Sequence, residues 1–446
     1  MSKLKIVFHI PRMNWYRVLS PLIDETIRRG HIVECWHQSG AKALGENCPN
    51  NEKVPEFEKG IPVIIDYEKP EDIVKLITQR NPDVVIDLYP PRYSNSQWDG
   101  KIWPNKPYWL LVDLPPSDCL LEIKNDSELY ACDAFAVCNE YYLNASIKYG
   151  GQDKQKLLEY VLSHKDELGE GAAEWISNQY MYQLKEKQIN YIKENSIIVG
   201  NSGFDGYGKI DKERVRKSFG ISPTQRIVVL LPCPFGYDFS SPWEQLFVRS
   251  SIFHRLYWIY KTKRLDCLVR AVTTTSNKDL LIALRKFCDS NNALLVAKLR
   301  HSRNPSSELR RNCHMMIGEI GYYPHTAVEL FSIADLVVGH YSFASIEALA
   351  LGIPYLNINI PYFPKKYYCD TRTPIHNCDA WPGAVWEMEA SDAVRDLPGK
   401  SIDDFCIDQF ARQSFLEKFS SWPISGASVR ILNYLESKLK ERSGGI

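Results

Sequence analysis

Three stretches in the second half of the chain concentrate side chains able to hold a charged, hydroxyl-bearing ligand. In "ADLVVGHYSFASIEALALGIP", Ala334 to Pro354, an apolar run gives way to His340, Tyr341 and Ser342 and then to a helical apolar pattern. Ser342 falls at or near the N-cap and Ser345 about one turn later, so their hydroxyls and the local amides could hold a phosphate. Glu347, in the second turn, could accept hydrogen bonds from a ribose diol. Taken alone, the pattern is equally that of a capping serine and a solvated carboxylate. About forty residues upstream, "AKLRHSRNP" closes another apolar run with Lys298, Arg300, His301 and Arg303, cations suited to neutralising a diphosphate. Between the two, "GYYPHTAVELFSIA" brings Tyr323, His325 and Thr326 to the start of a helix, where a nucleobase could pack. Three such loops in one region point to a nucleotide-phosphate site.

The first half offers a different chemistry. His9 and Arg12 follow the first apolar run in "FHIPR", Asp87 lies near the end of "DVVIDLY", and Asp113 lies in "LLVDLPPSD". Each could be a base or a substrate contact. An inverting group transfer needs one base at hydrogen-bond distance from the attacking hydroxyl, with the leaving diphosphate stabilised by cations and helix N-termini. His9 or Asp113 fits that base. A retaining reaction would not need it, and the residues leave both routes open. No D-x-D occurs and no His, Asp or Glu cluster has metal-ligand spacing, so Lys298, Arg300 and His301 are expected to do the work of a metal. Neither a metal nor a tightly held cofactor is expected.

The elements that must position these residues alternate. "KLKIVFHI", "HIVECWH", "PVIIDY", "DVVIDLY", "PYWLLVDLP" and "DAFAVCNEYY" predict strands, separated by helices such as "NWYRVLSPLIDETIRRG" and "PEDIVKLITQRN". Polar helices are predicted from about 150 to 193, and "NSIIVGNSGFDGYG" is turn-rich after a short strand. A second series starts near Ile227 with "QRIVVLLPCPFG" and runs through "ALLVAKLRH", "DLVVGH" and "PYLNINI" with intervening helices. The fold class is therefore α/β: two Rossmann-like, doubly wound domains facing across a cleft. Expected boundaries are 1–205 for the first domain, 206–425 for the second, which carries the three ligand loops, and 426–446 for a C-terminal helix that packs back on the first.

Bulk properties bound the function classes. The 446 residues exceed what one core usually serves. Lys plus Arg and Asp plus Glu each total 54, which supplies no global field for nucleic acid. Twelve cysteines without CxxC spacing fit a reducing cytoplasm, and no window is apolar enough to span a membrane. The aromatic and basic stretch "SSIFHRLYWIYKTKR" could lie on a membrane surface or be half buried in its own domain. The N-terminus lacks the apolar core of a secretory signal, which speaks against a periplasmic two-domain binding protein.

At these residues the chain resembles the GT-B glycosyltransferases, in particular the branch of CDP-glycerol glycerophosphotransferases and capsule or cell-wall polymer enzymes. The resemblance is densest from Ile197 to Pro361. "VGNSGFDGYGKIDKERVRKSFGI" is similar to that group's segment joining the domains, "AKLRH" to its Lys-x-His-Pro strand end, and "IADLVVGHYSFASIEALALGIPYL" to its Asp-Tyr-Ser-Ser strand, turn and helix. Three positions depart: His340 stands where those enzymes usually carry Asp, Phe343 replaces the second Ser, and Ser302 replaces the Pro after His301. "SFASIEALALGIP" also resembles the corresponding helix of non-hydrolysing UDP-N-acetylglucosamine 2-epimerases. The resemblance implies a glycosyltransferase that takes a nucleotide-sugar donor as co-substrate and a glycan or lipid-linked acceptor in surface polysaccharide synthesis, at the inner face of a membrane. A nucleotide-sugar 2-epimerase and a CDP-dependent glycerophosphate transferase are the alternatives.

Overall fold

The computed structural model describes residues 3–39, 48–69, 72–90, 106–113, 120, 123, 125–150, 184–232, 256–257, 260, 277–300, 305–340, 342–359 and 381–444. It divides into two compact units: Met1–Gly208 with Gly321–Pro324 and Leu416–Ile446, and Lys209–Ile320 with His325–Phe415.

The first unit is built on seven parallel strands: β1 Lys5–Ile10, β2 Ile32–Gln38, β3 Val63–Tyr67, β4 Val84–Asp87, β5 Tyr108–Asp113, β6 Ala134–Val137 and β7 Ser196–Ile198. Their spatial order is β3-β2-β1-β4-β5-β6-β7. β1 is central, and Ile6, Val7, Phe8 and Ile10 are wholly buried, as expected of a strand covered on both faces. The helix Tyr16–Arg28 follows it and stops where Gly30 adopts a φ of 81°, a left-handed turn that glycine makes without steric cost. The helix Asp72–Arg80 ends at Asn81, also left-handed with a φ of 46°, before Pro82.

The second unit holds six parallel strands: β8 Arg226–Leu230, β9 Ala293–Lys298, β10 Met315–Ile317, β11 Leu336–Gly339, β12 Tyr355–Asn359 and β13 Val385–Glu389. Their order is β10-β9-β8-β11-β12-β13. Leu230, Leu284, Phe287, Leu295, Leu336, Leu356 and Phe405 form part of one apolar core between sheet and helices. Both sheets run 3-2-1-4-5-6 in their own counting, the Rossmann order, and the first adds a seventh strand. The expected α/β class with two Rossmann-like sheets is the architecture observed.

Two strands were not anticipated, β10 and β13, and both are sheet edges. An edge strand is covered on fewer sides, and "MMI" is only three residues long with one of them buried, while "VWEME" carries two glutamates and buries only Val385. The expected helices between 151 and 183, and most of the aromatic stretch 250–264, lie outside the described residues.

The turn-rich "GNSGFDG" segment has a clear structural task within the first unit. The Asn201 side chain accepts from Gly203 N–H, and the Ser202 hydroxyl donates to the Val18 carbonyl. The Asp205 carboxylate accepts from the backbone N–H groups of Gly426, Ala427 and Ser428 at 2.6, 3.2 and 2.7 Å. These are orphan donors at the start of the helix Ala427–Gly444, and a carboxylate there answers both their hydrogen bonds and the helix dipole. Arg29 pairs with Glu436 farther along the same helix.

Candidate functional site

In an open parallel sheet the carboxyl ends of the strands diverge where the order reverses, leaving a crevice that side chains can line. In the first unit this point lies between β1 and β4. His9 is the penultimate residue of β1 and Asp87 the last of β4. The His9 Nδ1 lies 2.6 Å from Asp87 Oδ2, with His9 2% and Asp87 1% exposed. The Tyr89 N–H donates to the other carboxylate oxygen at 3.0 Å. A carboxylate accepts only, so Nδ1 carries the proton and Nε2 presents its lone pair, which takes a hydrogen bond from the Tyr67 hydroxyl. Trp15 stands edge-on to the imidazole, with centroids 6.1 Å apart. The carboxylate fixes both the tautomer and the ring orientation, as required of a general base.

Arg12 follows as an exposed residue just after β1. Asp113 ends β5, and its side chain lies outside the described residues, so His9 and Asp87 are the first-unit candidates that the structure brings together.

In the second unit the corresponding edge collects most of the predicted donor residues, with one addition. Lys298 ends β9 and is 7% exposed; its ammonium lies 2.9 Å from Glu319 Oε2 and also donates to the Leu299 carbonyl. His325 Nε2 lies 3.2 Å from the same Glu319 oxygen. His325 Nδ1 accepts from Ala327 N–H and so caps the helix Thr326–Ser332, which places the imidazole proton on Nε2, facing Glu319. Burial alone would raise the Glu319 carboxyl, but the His325 hydrogen bond and the Lys298 charge outweigh it and hold it down at about 2. The Thr326 hydroxyl accepts from Ile320 N–H. Lys298 and His325 therefore meet on one buried carboxylate, Glu319, and Thr326 holds the backbone of the residue that follows it.

Glu319 was not read from the sequence. Its signal is modest: an acid two residues after the apolar triplet "MMI", between a strand-end lysine and a helix-start histidine.

β11 ends at Gly339, where an added Cβ would overlap the Tyr355 hydroxyl. The His340 Nδ1–H donates to the Ile358 carbonyl of neighbouring β12 at 2.8 Å. The Ser342 side chain accepts from Ala344 N–H at 3.3 Å, and the helix Ala344–Ala350 begins one residue past Phe343. The Ser345 hydroxyl donates back to the Ser342 carbonyl and is fully buried, while Glu347 is 7% exposed. Arg300 is exposed beyond β9; His301, Arg303 and Tyr341 lie outside the described residues. Tyr323 belongs to the first unit, where its hydroxyl lies 3.4 Å from Asp24 Oδ2 and its ring packs near Phe57. The structure thus groups Lys298, His325 and Thr326, and separately His340, Ser342, Ser345 and Glu347, on one unit, with Tyr323 on the other. Among the described residues no three His, Cys, Asp or Glu side chains are arranged to hold a metal ion, and no helix is long and apolar enough to cross a membrane.

Two doubly wound sheets with reversal points of this kind define the GT-B fold class. Among solved structures the chain is similar to a UDP-N-acetylglucosamine 2-epimerase at 11% identity and a TM-score of 0.52, covering 98% of this chain and 96% of that one. It is similar to the wall teichoic acid polymerase TagF at 10% identity and a TM-score of 0.52, covering 98% and 90%. A Listeria monocytogenes protein assigned as a UDP-N-acetylglucosamine 2-epimerase gives 11%, 0.51, and 99% and 98%. At these identities the likeness carries the fold and nothing further. No protein-family model and no curated protein matches the sequence.

Proposed function

We propose that the protein is a glycosyltransferase that moves a sugar from a nucleotide-activated donor to a glycan or glycolipid acceptor in surface polysaccharide synthesis. The observation that carries this reading is the buried His9–Asp87 pair at the reversal point of the first sheet. An acceptor hydroxyl that displaces the Tyr67 hydroxyl gives its proton to His9 Nε2 as its oxygen attacks the anomeric carbon. The bond from that carbon to the diphosphate breaks, and the nucleoside diphosphate leaves with the electron pair. Asp87 holds the imidazolium that results, which favours an inverting reaction with His9 as base.

The second unit takes the donor in this reading. Arg300 and His301 meet the diphosphate, Ser342 and the amides after Phe343 meet a phosphate, and Glu347 meets the ribose. Lys298 and His325 reach an anion only by exchanging part of their partnership with Glu319. The charge of Lys298 and Arg300, with His301, stands in for a divalent metal, so activity should persist in EDTA; activity that disappears with EDTA and returns with Mg²⁺ or Mn²⁺ would remove this part of the proposal.

The reading is tested by titrating UDP, GDP, CDP, CMP and TDP and then incubating the matching nucleotide-sugar with and without acceptor. Transfer that needs acceptor supports it. An isomerised sugar formed from donor alone would assign a 2-epimerase instead, and turnover of a CDP-activated glycerophosphate would assign a polyol-phosphate transferase.

A further inference from the structure

A cavity of about 630 Å³ opens at the carboxyl ends of β2 and β3, lined in part by Ser39, Cys48, Asn51, Lys53 and Asp66. It is separate from the His9–Asp87 pair. Pairing in register sets His37 beside Asp66 and Gln38 beside Tyr67, so alternation along β3 turns Asp66 to the opposite face from Tyr67, the partner of His9.

The cavity wall is built rather than incidental. Tyr16, wholly buried on the helix after β1, donates its hydroxyl proton to His37 Nε2 at 2.6 Å. His37, itself wholly buried, then donates from Nδ1 to Asn51 Oδ1 at 3.0 Å. Asn51 Nδ2 in turn donates to Asp66 Oδ2 at 2.6 Å. This chain runs from the core to a carboxylate that is 43% exposed, and each donor fixes the orientation of the next acceptor. Burial lowers the His37 pKa, so the ring stays neutral and adds no charge to the cavity. Among the described residues, Asp66 Oδ1, the second N–H of Asn51 and the lone pairs of Ser39 are not used by these hydrogen bonds. The Ser39 hydroxyl itself leans on the Tyr67 carbonyl at 3.4 Å.

Paired acceptors and donors of this kind bind vicinal hydroxyls, each of which both donates and accepts. Asp66 and Glu52 against Lys53 leave the lining acidic, which disfavours a phosphate or a free nucleotide. We infer that this cavity is a saccharide subsite, holding an uncharged, hydroxyl-rich unit of the acceptor remote from the one that reacts at His9. The assignment of that saccharide as acceptor rests on the transferase reading above.

The test is saturation-transfer NMR followed by titration on the full chain, with methyl glucoside, methyl galactoside, N-acetylglucosamine and maltose as neutral probes and glycerol 3-phosphate as the anionic one. At least one neutral saccharide should bind, its Kd should rise at least about tenfold in both Asp66→Asn and Asn51→Ala, and glycerol 3-phosphate should bind more weakly than that saccharide. Lys75→Ala, on an exposed helix position, should leave the Kd unchanged. Thermal melting identifies any variant that has lost its fold, and Asn51→Ala, altered on an exposed turn, then carries the comparison. Absence of saccharide binding, equal affinity in wild type and both cavity variants, or preference for glycerol 3-phosphate would each overturn the inference. A nucleotide titration on the same samples separates the two readings. Nucleotide binding without saccharide binding removes the subsite alone, whereas saccharide binding sensitive to Asp66 without nucleotide binding keeps the subsite and removes the transferase.

Discussion

Replacing Glu319 by Gln removes a carboxylate that Lys298 and His325 share, and its cost can be worked from the structure. The folded carboxyl titrates at about 2, against an ordinary value of 4.5, and only 11% of its side chain is exposed. A folded pKa below the unfolded one adds stability that is fully present above the unfolded value and is lost as pH falls through the folded value. The gap of about 2.5, at about 1.4 kcal/mol for each pH unit, gives about 3 kcal/mol at pH 7 and leaves about 1 kcal/mol at pH 3. Breaking a buried ion pair by removing one partner costs about 3–5 kcal/mol, which agrees. Urea denaturation of wild type and Glu319→Gln should therefore differ by about 3 kcal/mol at pH 7, and the difference should shrink to about 1 kcal/mol at pH 3. A difference below about 1 kcal/mol at pH 7, or one that does not change with pH, would refute the view that Glu319 is the ionised hub of this cluster.

Two further outcomes follow from the first unit. Asp205→Ala strips three helix-start amides of their acceptor and should cost about 1–2 kcal/mol, with faster hydrogen exchange at Ala427 and Ser428; unchanged exchange there would show that the contact is dispensable. Asp87→Asn offers one acceptor to two donors, Tyr89 N–H and His9 Nδ1–H, so the favoured imidazole tautomer is lost. Transfer should fall by about 10²–10⁴ in kcat with KM little changed, and equal losses in both, or none, would mean that the pair is not catalytic.

The central strands of both sheets were legible because burial on two faces demands unbroken apolar runs, as in "KIVFHI" and "DLVVGH". β10 was not, being only three residues long, nor was β13, whose two glutamates break its apolar pattern. The His9–Asp87 pair was visible only as two strand-end residues; that they meet depends on strand order, which spacing along the chain does not encode. Glu319 escaped for the same reason, as its partners lie at a strand end and at a helix start. His340 illustrates the converse. Its position suggested a ligand contact, and the structure also shows a tie from its Nδ1 to the end of β12. Ser345 likewise looks like a phosphate ligand by spacing, yet its hydroxyl turns back to the Ser342 carbonyl.

The claim that the second unit carries a nucleotide-donor site is tested most directly by calorimetry of the wild-type chain against the five nucleotides, repeated on Glu347→Ala and His9→Ala. The account predicts that one nucleoside diphosphate binds, that Glu347→Ala weakens it at least about tenfold, and that His9→Ala leaves it within about twofold. Binding of none of the five, or loss of binding in His9→Ala with Glu347→Ala unaffected, would contradict it.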